Sequence, residues 1–301
     1  MKNKTKTSKK VKTPVLSRVT LKTYIVIAAL TVFISGLMTV KFYYDALQMG
    51  DSFRFALYTL YPLVTVVGPL LAFGIVYAIS KERTTKLWRV SKAAMIATIA
   101  AMFQSFVTPI SMSVFAQSAG YGDTPPATPS VLPVYLFELT PVILALAVAV
   151  VLSVILSRLK TSNVSDATPM MQKMFLAGVV VFGLGQSVVS AAMQIGDPMS
   201  QSIEVLAFDM LTSLIVPLII LCALFLVVSR QRGIFERSFV AVFYAVIGVM
   251  LLVALSPVPY LFSNPMQQSF YAGWVVMYLP SIAALVAFVS IVCWHKLKKA
   301  M

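Results

Sequence analysis

SFVAVFYAVIGVMLLVALSPVPYLFSNPMQQSFYAGWVVMYLPSIAALVAFVSIVCW, residues 238–294, contains no Lys, Arg, Asp or Glu. Arg237 precedes it, and His295 and Lys296 follow it. A helix crossing the hydrocarbon of a bilayer takes about 20 apolar residues, so this run is long enough for two crossings. Ser-Pro-Val-Pro at 256–259 and Ser-Asn-Pro at 263–265 interrupt it, and such clusters mark turns. The stretch therefore reads as one span over 238–262, a turn, and a second span over 272–294.

Working outward, six more apolar blocks fit the same length: 23–40, 55–80, 93–115, 131–157, 174–193 and 203–229. The whole chain is 59% apolar and 11% charged, against about 45–50% and about 25% in a soluble domain. The expectation is an all-α integral membrane protein with eight transmembrane helices. A cleaved leader is not expected at the start, because the first apolar stretch is long for a signal core and no A-x-A site follows it.

Charge sets the orientation. Of the 24 Lys and Arg residues, all but Lys41 and Arg54 fall in segments that share one side of this topology. Those segments are the tail through Lys22, the loops 81–92, 158–173 and 230–237, and the carboxy-terminal end. The other side holds Asp45, Asp51, Asp123 and Asp197. The positive-inside rule puts both termini in the cytoplasm, and an even number of spans requires them on one side. The net charge of +14 is thus chiefly a topology signal, and the cytoplasmic (plasma) membrane is the expected location. The basic tail is suited to anionic lipid headgroups, at about 1 kcal/mol per nearby Lys. It has no aromatic residue to stack on bases, so nucleic acid is not an expected partner. Cys222 and Cys293 lie in different apolar runs and read as buried thiols.

Residues 61–109 lie over 209–257 without a gap at a shift of 148. Pro69 meets Pro217, Arg89 meets Arg237, Met102 meets Met250 and Pro109 meets Pro257. At a shift of 139, Pro141, Ala145 and Leu146 meet Pro280, Ala284 and Leu285. Prolines, a loop arginine and the loop length keeping register mark a tandem duplication rather than shared composition. The expected organisation is a basic tail (1–22), a first four-helix repeat (23–160), a linker (161–173) and a second four-helix repeat (174–301). Four crossings return the chain to its starting side, so the two repeats are parallel. Transporters built on such repeats bind substrate at the repeat interface, near the midplane.

One proline stands inside each even-numbered span: Pro69, Pro141, Pro217 and Pro280. Each removes a backbone hydrogen bond and tends to kink its helix. For Pro69 and Pro217 the freed carbonyls belong to Thr65 and Ser213, which are able to line a polar path or coordinate a cation. Small residues at four-residue spacing mark close packing: Ala93, Ala97, Ala101 and Ser105 on the third span, Gly68 and Ala72 on the second, Gly183 and Ser187 on the fifth.

Ionisable residues at membrane depth are functional candidates. Glu138 and Asp209 are the two, one per half, at positions where the other half has Met277 and Tyr61; counted inward from the outer ends of their spans they lie about 10 Å deep, and counted back from the cytoplasmic ends they lie at the outer interface. Lys41 and Arg54 are the counter-charges on their side, and Gln104, Gln186 and Gln194 add polar lining. Catalytic signatures are missing: no H-E-x-x-H, no paired Cys ligands, no G-x-S-x-G and no nucleotide loop. The single histidine, His295, reads as a solvated end residue, and the loop 81–92 with Trp88 either as a segment able to dock a partner subunit or as ordinary positive-inside anchoring. No enzyme activity, metal or cofactor is expected. The leading expectation is a transporter or permease subunit that moves a small solute or ion between the halves. The alternative is a non-transporting scaffold or assembly subunit of a membrane complex.

Overall fold

A computed structural model describes residues 16–49, 66–80, 86–118, 131–158, 164–196, 215–228, 233–258 and 270–300. Among these residues the chain is helical, with no strand. In chain order the helices are α1 (Arg18–Met49), α2 (Gly68–Ile79), α3 (Lys86–Ser118), α4 (Val131–Arg158), α5 (Val164–Gly178), α6 (Gly185–Gly196), α7 (Val216–Val227), α8 (Ile234–Leu255) and α9 (Phe270–Ala300). A wide π-helical segment, Val179–Leu184, joins α5 to α6 in one continuous rod. Six stretches are long and apolar enough to cross a membrane: Arg18–Lys41, Lys86–Thr108, Leu139–Ser157, Met170–Val189, Ile234–Leu255 and Leu279–Lys298. The described parts of the second and sixth expected spans are shorter apolar helices. The chain is therefore an all-helical, polytopic membrane protein.

Local chemistry explains the helix starts. The Ser17 hydroxyl accepts the Thr20 N–H at 3.1 Å, an N-cap that removes one orphan donor and contributes about 1 kcal/mol. Glu236 lies in the first turn of α8, where its negative charge complements the helix dipole.

Two helices are hubs. Residues 91–100 of α3 are buried on every side, as expected of a helix enclosed by others. The inward positions of α8 are Phe239, Val240, Ala241, Val242, Phe243, Val246, Ile247, Leu251 and Ala254. Around α3 pack α2, α4 and the α5–α6 rod, and around α8 pack α1, α7 and α9. The first helix of the chain thus lies chiefly on α8, while the rod lies chiefly on α3. Contacts between these two groups run from α5 to α8 and from α1 to α3. Outward faces are apolar: Val26, Leu30, Phe33, Leu37 and Val40 form an exposed stripe along α1. Spacing of three and four residues keeps them on one face, turned toward lipid.

Several expectations change. The loop 81–92 is helical from Lys86 onward. Trp88 packs against the core and Lys92 is 4% exposed, so the later part of that expected loop is the first turns of a packed helix. Residues 164–173 of the expected linker are the first turns of α5, because Met171 and Phe175 bury one face there. Hydropathy marks only the part of a helix inside lipid, and these helices continue past it. Cys222 and Cys293 are exposed on the apolar surface and unpaired. On the rod, the close approaches are at Gly178 and Gly185. A Cβ there would stand 2.8 Å from Ile99 Cγ2 and 3.1 Å from a Phe106 ring carbon, while Gly183 faces open space.

Candidate functional site

The most regular feature is a pair of arginine clamps. Arg89 is the fourth residue of α3, and Arg237 the fourth of α8. An Arg89 Nη2 donates to the Tyr77 carbonyl at 2.9 Å, and its guanidinium lies 4.4 Å from the centre of the Tyr77 ring. An Arg237 Nη2 donates to the Phe225 carbonyl at 2.8 Å, with the guanidinium 4.2 Å from the Phe225 ring. Tyr77 and Phe225 sit two residues before the ends of α2 and α7. Each arginine thus satisfies an orphan carbonyl and places its charge at a negative helix end. Cation–π attraction adds to both. All four positions, and the first residues of α2 and α7, are offset by 148 residues.

Pro69 and Pro217 occupy the second positions of α2 and α7. Each follows a wide π-helical turn, at Val66–Val67 and at Ile215, which relieves the clash of the ring with the preceding turn. Pro141 and Pro280 lie inside α4 and α9 and are buried.

The seam between the α3 group and the α8 group is aromatic. Tyr24 of α1 is fully buried, and its hydroxyl bonds the Thr98 hydroxyl and the Ala94 carbonyl of α3. Its ring lies 4.8 Å from that of Phe243 on α8. Phe175 of α5 meets Phe239 and Phe243 at 5.9 and 5.8 Å. Beside this cluster, His295 of α9 bridges α8 and α1. Its Nδ1 is 2.8 Å from the Tyr244 hydroxyl, and its Nε2 is 3.4 Å from the Thr23 hydroxyl. His295 is therefore a half-buried cross-link, not a solvated end residue.

No protein-family model, curated protein or solved structure matches this chain.

The expected site residues divide sharply. Asp209, Arg54, Thr65 and Ser213 lie outside the described residues. Glu138 lies on α4, one residue before the membrane-length apolar stretch that begins at Leu139; its side chain is outside the described part. Lys41 is half-buried at the end of the apolar part of α1. Gln104 is buried on α3, and Gln186 is half-buried on the rod that packs against it. No group of three or more potential metal ligands occurs among the described residues.

Sequence reading missed a second polar set on α2, α3 and α4. Ser80, Ser91, Lys92 and Ser153 are buried on α2's last turn, α3 and α4. Their signal was faint because serines pass as small packing residues, and Lys92 was counted as part of a loop.

Proposed function

We propose that this protein is a transporter or permease subunit made of two parallel four-helix halves, with both termini in the cytoplasm. One observation carries the reading: packing is reciprocal across the seam. The first helix of the chain rests on the hub of the second half, and the fifth-span rod rests on the hub of the first. A pseudo-twofold axis along the membrane normal produces that exchange, and the two arginine clamps at one offset support it. Repeats related in this way support alternating access by rocking one group against the other.

The second and sixth spans complete the proposed eight. Positive-inside bias supports the orientation, and it places the Tyr24–Phe175–Phe239–Phe243 cluster toward the cytoplasmic side of the seam. Glu138 and Asp209 enter from the opposite side as binding or coupling carboxylates. Lys41 and Arg54 are their counter-charges, with Gln104 and Gln186 as polar lining. The cytoplasmic membrane is the proposed location.

Water access tests this. Single cysteines at 138 and 209, in a background lacking Cys222 and Cys293, are treated with a membrane-impermeant thiol reagent from each side. Labelling from both sides, or labelling that changes side with conditions, is expected. Labelling from the outer side alone under every condition would sink the transport reading and favour a scaffold subunit.

A further inference from the structure

His295 is the one histidine in the chain, and both of its ring nitrogens are engaged. The Thr23 hydroxyl donates its proton to the Val19 carbonyl of its own helix at 2.9 Å. Toward His295 that hydroxyl therefore accepts, so Nε2 carries a proton. Nδ1 is then the bare nitrogen, and it accepts the Tyr244 O–H at 2.8 Å. The contacts thus select the neutral ring with its proton on Nε2. They also join α9 directly to α1, two helices that both pack on α8.

Packing alone does not call for this pair. At the offsets of 148 and 139, Tyr244 corresponds to Ile96 and His295 to Leu156. Those residues are 2% and 3% exposed, so the first half closes the corresponding positions with hydrocarbon. What the second half adds is a group whose charge changes near neutral pH.

Protonation puts a hydrogen on Nδ1 as well. The Tyr244 oxygen must then accept instead of donate, and its own proton must turn away from the ring. A positive charge also arises on a half-buried ring, where burial without a counter-charge costs free energy. The charged groups on this end of the three helices are chiefly cations: Arg18 and Lys22 on α1, Arg237 on α8, Lys296 and Lys298 on α9. Glu236 is the one carboxylate there among the described residues, and it precedes Tyr244 by eight residues, about 12 Å along α8. The last residue of α9 lies five positions beyond His295, and the field of a helix end fades within its last turn. His295 stands three residues inside the end of the apolar stretch Leu279–Lys298, which places it near the water interface and not at the midplane.

We propose that His295 is a proton-binding latch. Neutral, it ties α9 to α1 and α8. Protonated, it turns toward water, gives up Tyr244 and Thr23, and lets the ends of α1 and α9 separate. The latch closes as pH rises through the imidazole range and opens as pH falls. The inference stands apart from the transport reading and holds equally for a scaffold.

The test uses the full chain in nanodiscs, in a background lacking Cys222 and Cys293. Spin labels on Val26→Cys and Leu297→Cys, both 64% exposed in the native chain, read the distance between α1 and α9. Between about pH 8 and about pH 5.5 the distance distribution is expected to lengthen and broaden. His295→Leu, which copies the first half, is expected to abolish that change. His295→Gln, which keeps a hydrogen-bonding group that does not titrate, serves if the leucine variant does not fold. Thr31→Val removes a different α1–α8 link, the Thr31 hydroxyl on the Met250 carbonyl at 3.1 Å, and is expected to keep the change. Nitrogen NMR of the one imidazole reads the tautomer directly, with Nε2–H expected at about pH 8. An unchanged distribution in the native chain, the same change in the histidine variants, its loss in Thr31→Val, or an Nδ1–H tautomer overturns the proposal.

Discussion

At one offset, α3 carries Ser91, Lys92 and Met95 where α8 carries Phe239, Val240 and Phe243. Both sets are buried, and both stand just inside an arginine clamp of the same geometry. The clamps join neighbouring helices, and that requirement is the same at both. The residues beneath them meet different surroundings. Those on α8 fill the aromatic seam with Phe175 and Tyr24. Those on α3 lie among three closely packed helices. The lateral packing differs as well: α2 packs on α4, whereas α7 and α9 form no comparable contact among the described residues. Two helices with the same clamp thus form one apolar, seam-filling hub and one more polar, enclosed hub.

That comparison can be broken in graded steps. The largest effect is expected from Phe243→Ala, which empties the centre of the seam; a loss of about 3–5 kcal/mol is typical of a buried Phe. It should appear as a large fall in Tm in detergent. A loss below about 1 kcal/mol would mean that the seam is not the main contact between the groups. Next is Val240→Lys, which places an ammonium where α8 has no hydroxyls beside it. Its cost is expected to be about 3 kcal/mol, read as a fall in Tm. A cost below about 1 kcal/mol would mean that α8 accepts the charge that α3 carries at Lys92, and would erase the distinction between the hubs.

Arg89→Met and Arg237→Met sharpen the common part. Each removes one charge-assisted hydrogen bond and one ring contact, and each is expected to cost about 2 kcal/mol. A difference well above about 1 kcal/mol in thermal unfolding would mean that the clamps are alike in geometry only. The smallest contrast lies on the rod. Gly178→Ala forces Ile99 to shift, and as Ile99 is branched at Cβ it gives little room; a loss of about 1–2 kcal/mol is expected. Gly183→Ala meets nothing within 4 Å and should be neutral or stabilising by up to about 1 kcal/mol. Reversal of that order would move the close-packed face of the rod.

Sequence alone determined the class. Long charge-free runs such as 238–294 exist because a helix in lipid must satisfy its own backbone and presents apolar side chains all round. The one-sided distribution of lysine and arginine was equally legible, being a one-dimensional property of loops. The offset of 148 was legible too, and the structure has two clamps and two helix starts at that spacing. Arg89 and Arg237 were visible as a matched pair, but their action on Tyr77 and Phe225 was not, since it depends on which helix end lies beside which helix start.

Tertiary structure alone decided which faces are inside. Apolar periodicity vanishes when both lipid and core select apolar residues, so Gly178 and Gly183, or Ser153 and Ser157, look alike in the sequence. Only the packing buries Ser153 and exposes Ser157, draws Lys92 into α3, and places His295 between Thr23 and Tyr244. It also decided that α1 rests on α8, far along the chain. Chain order favours neighbours, but the reciprocal arrangement follows from surfaces far apart in sequence.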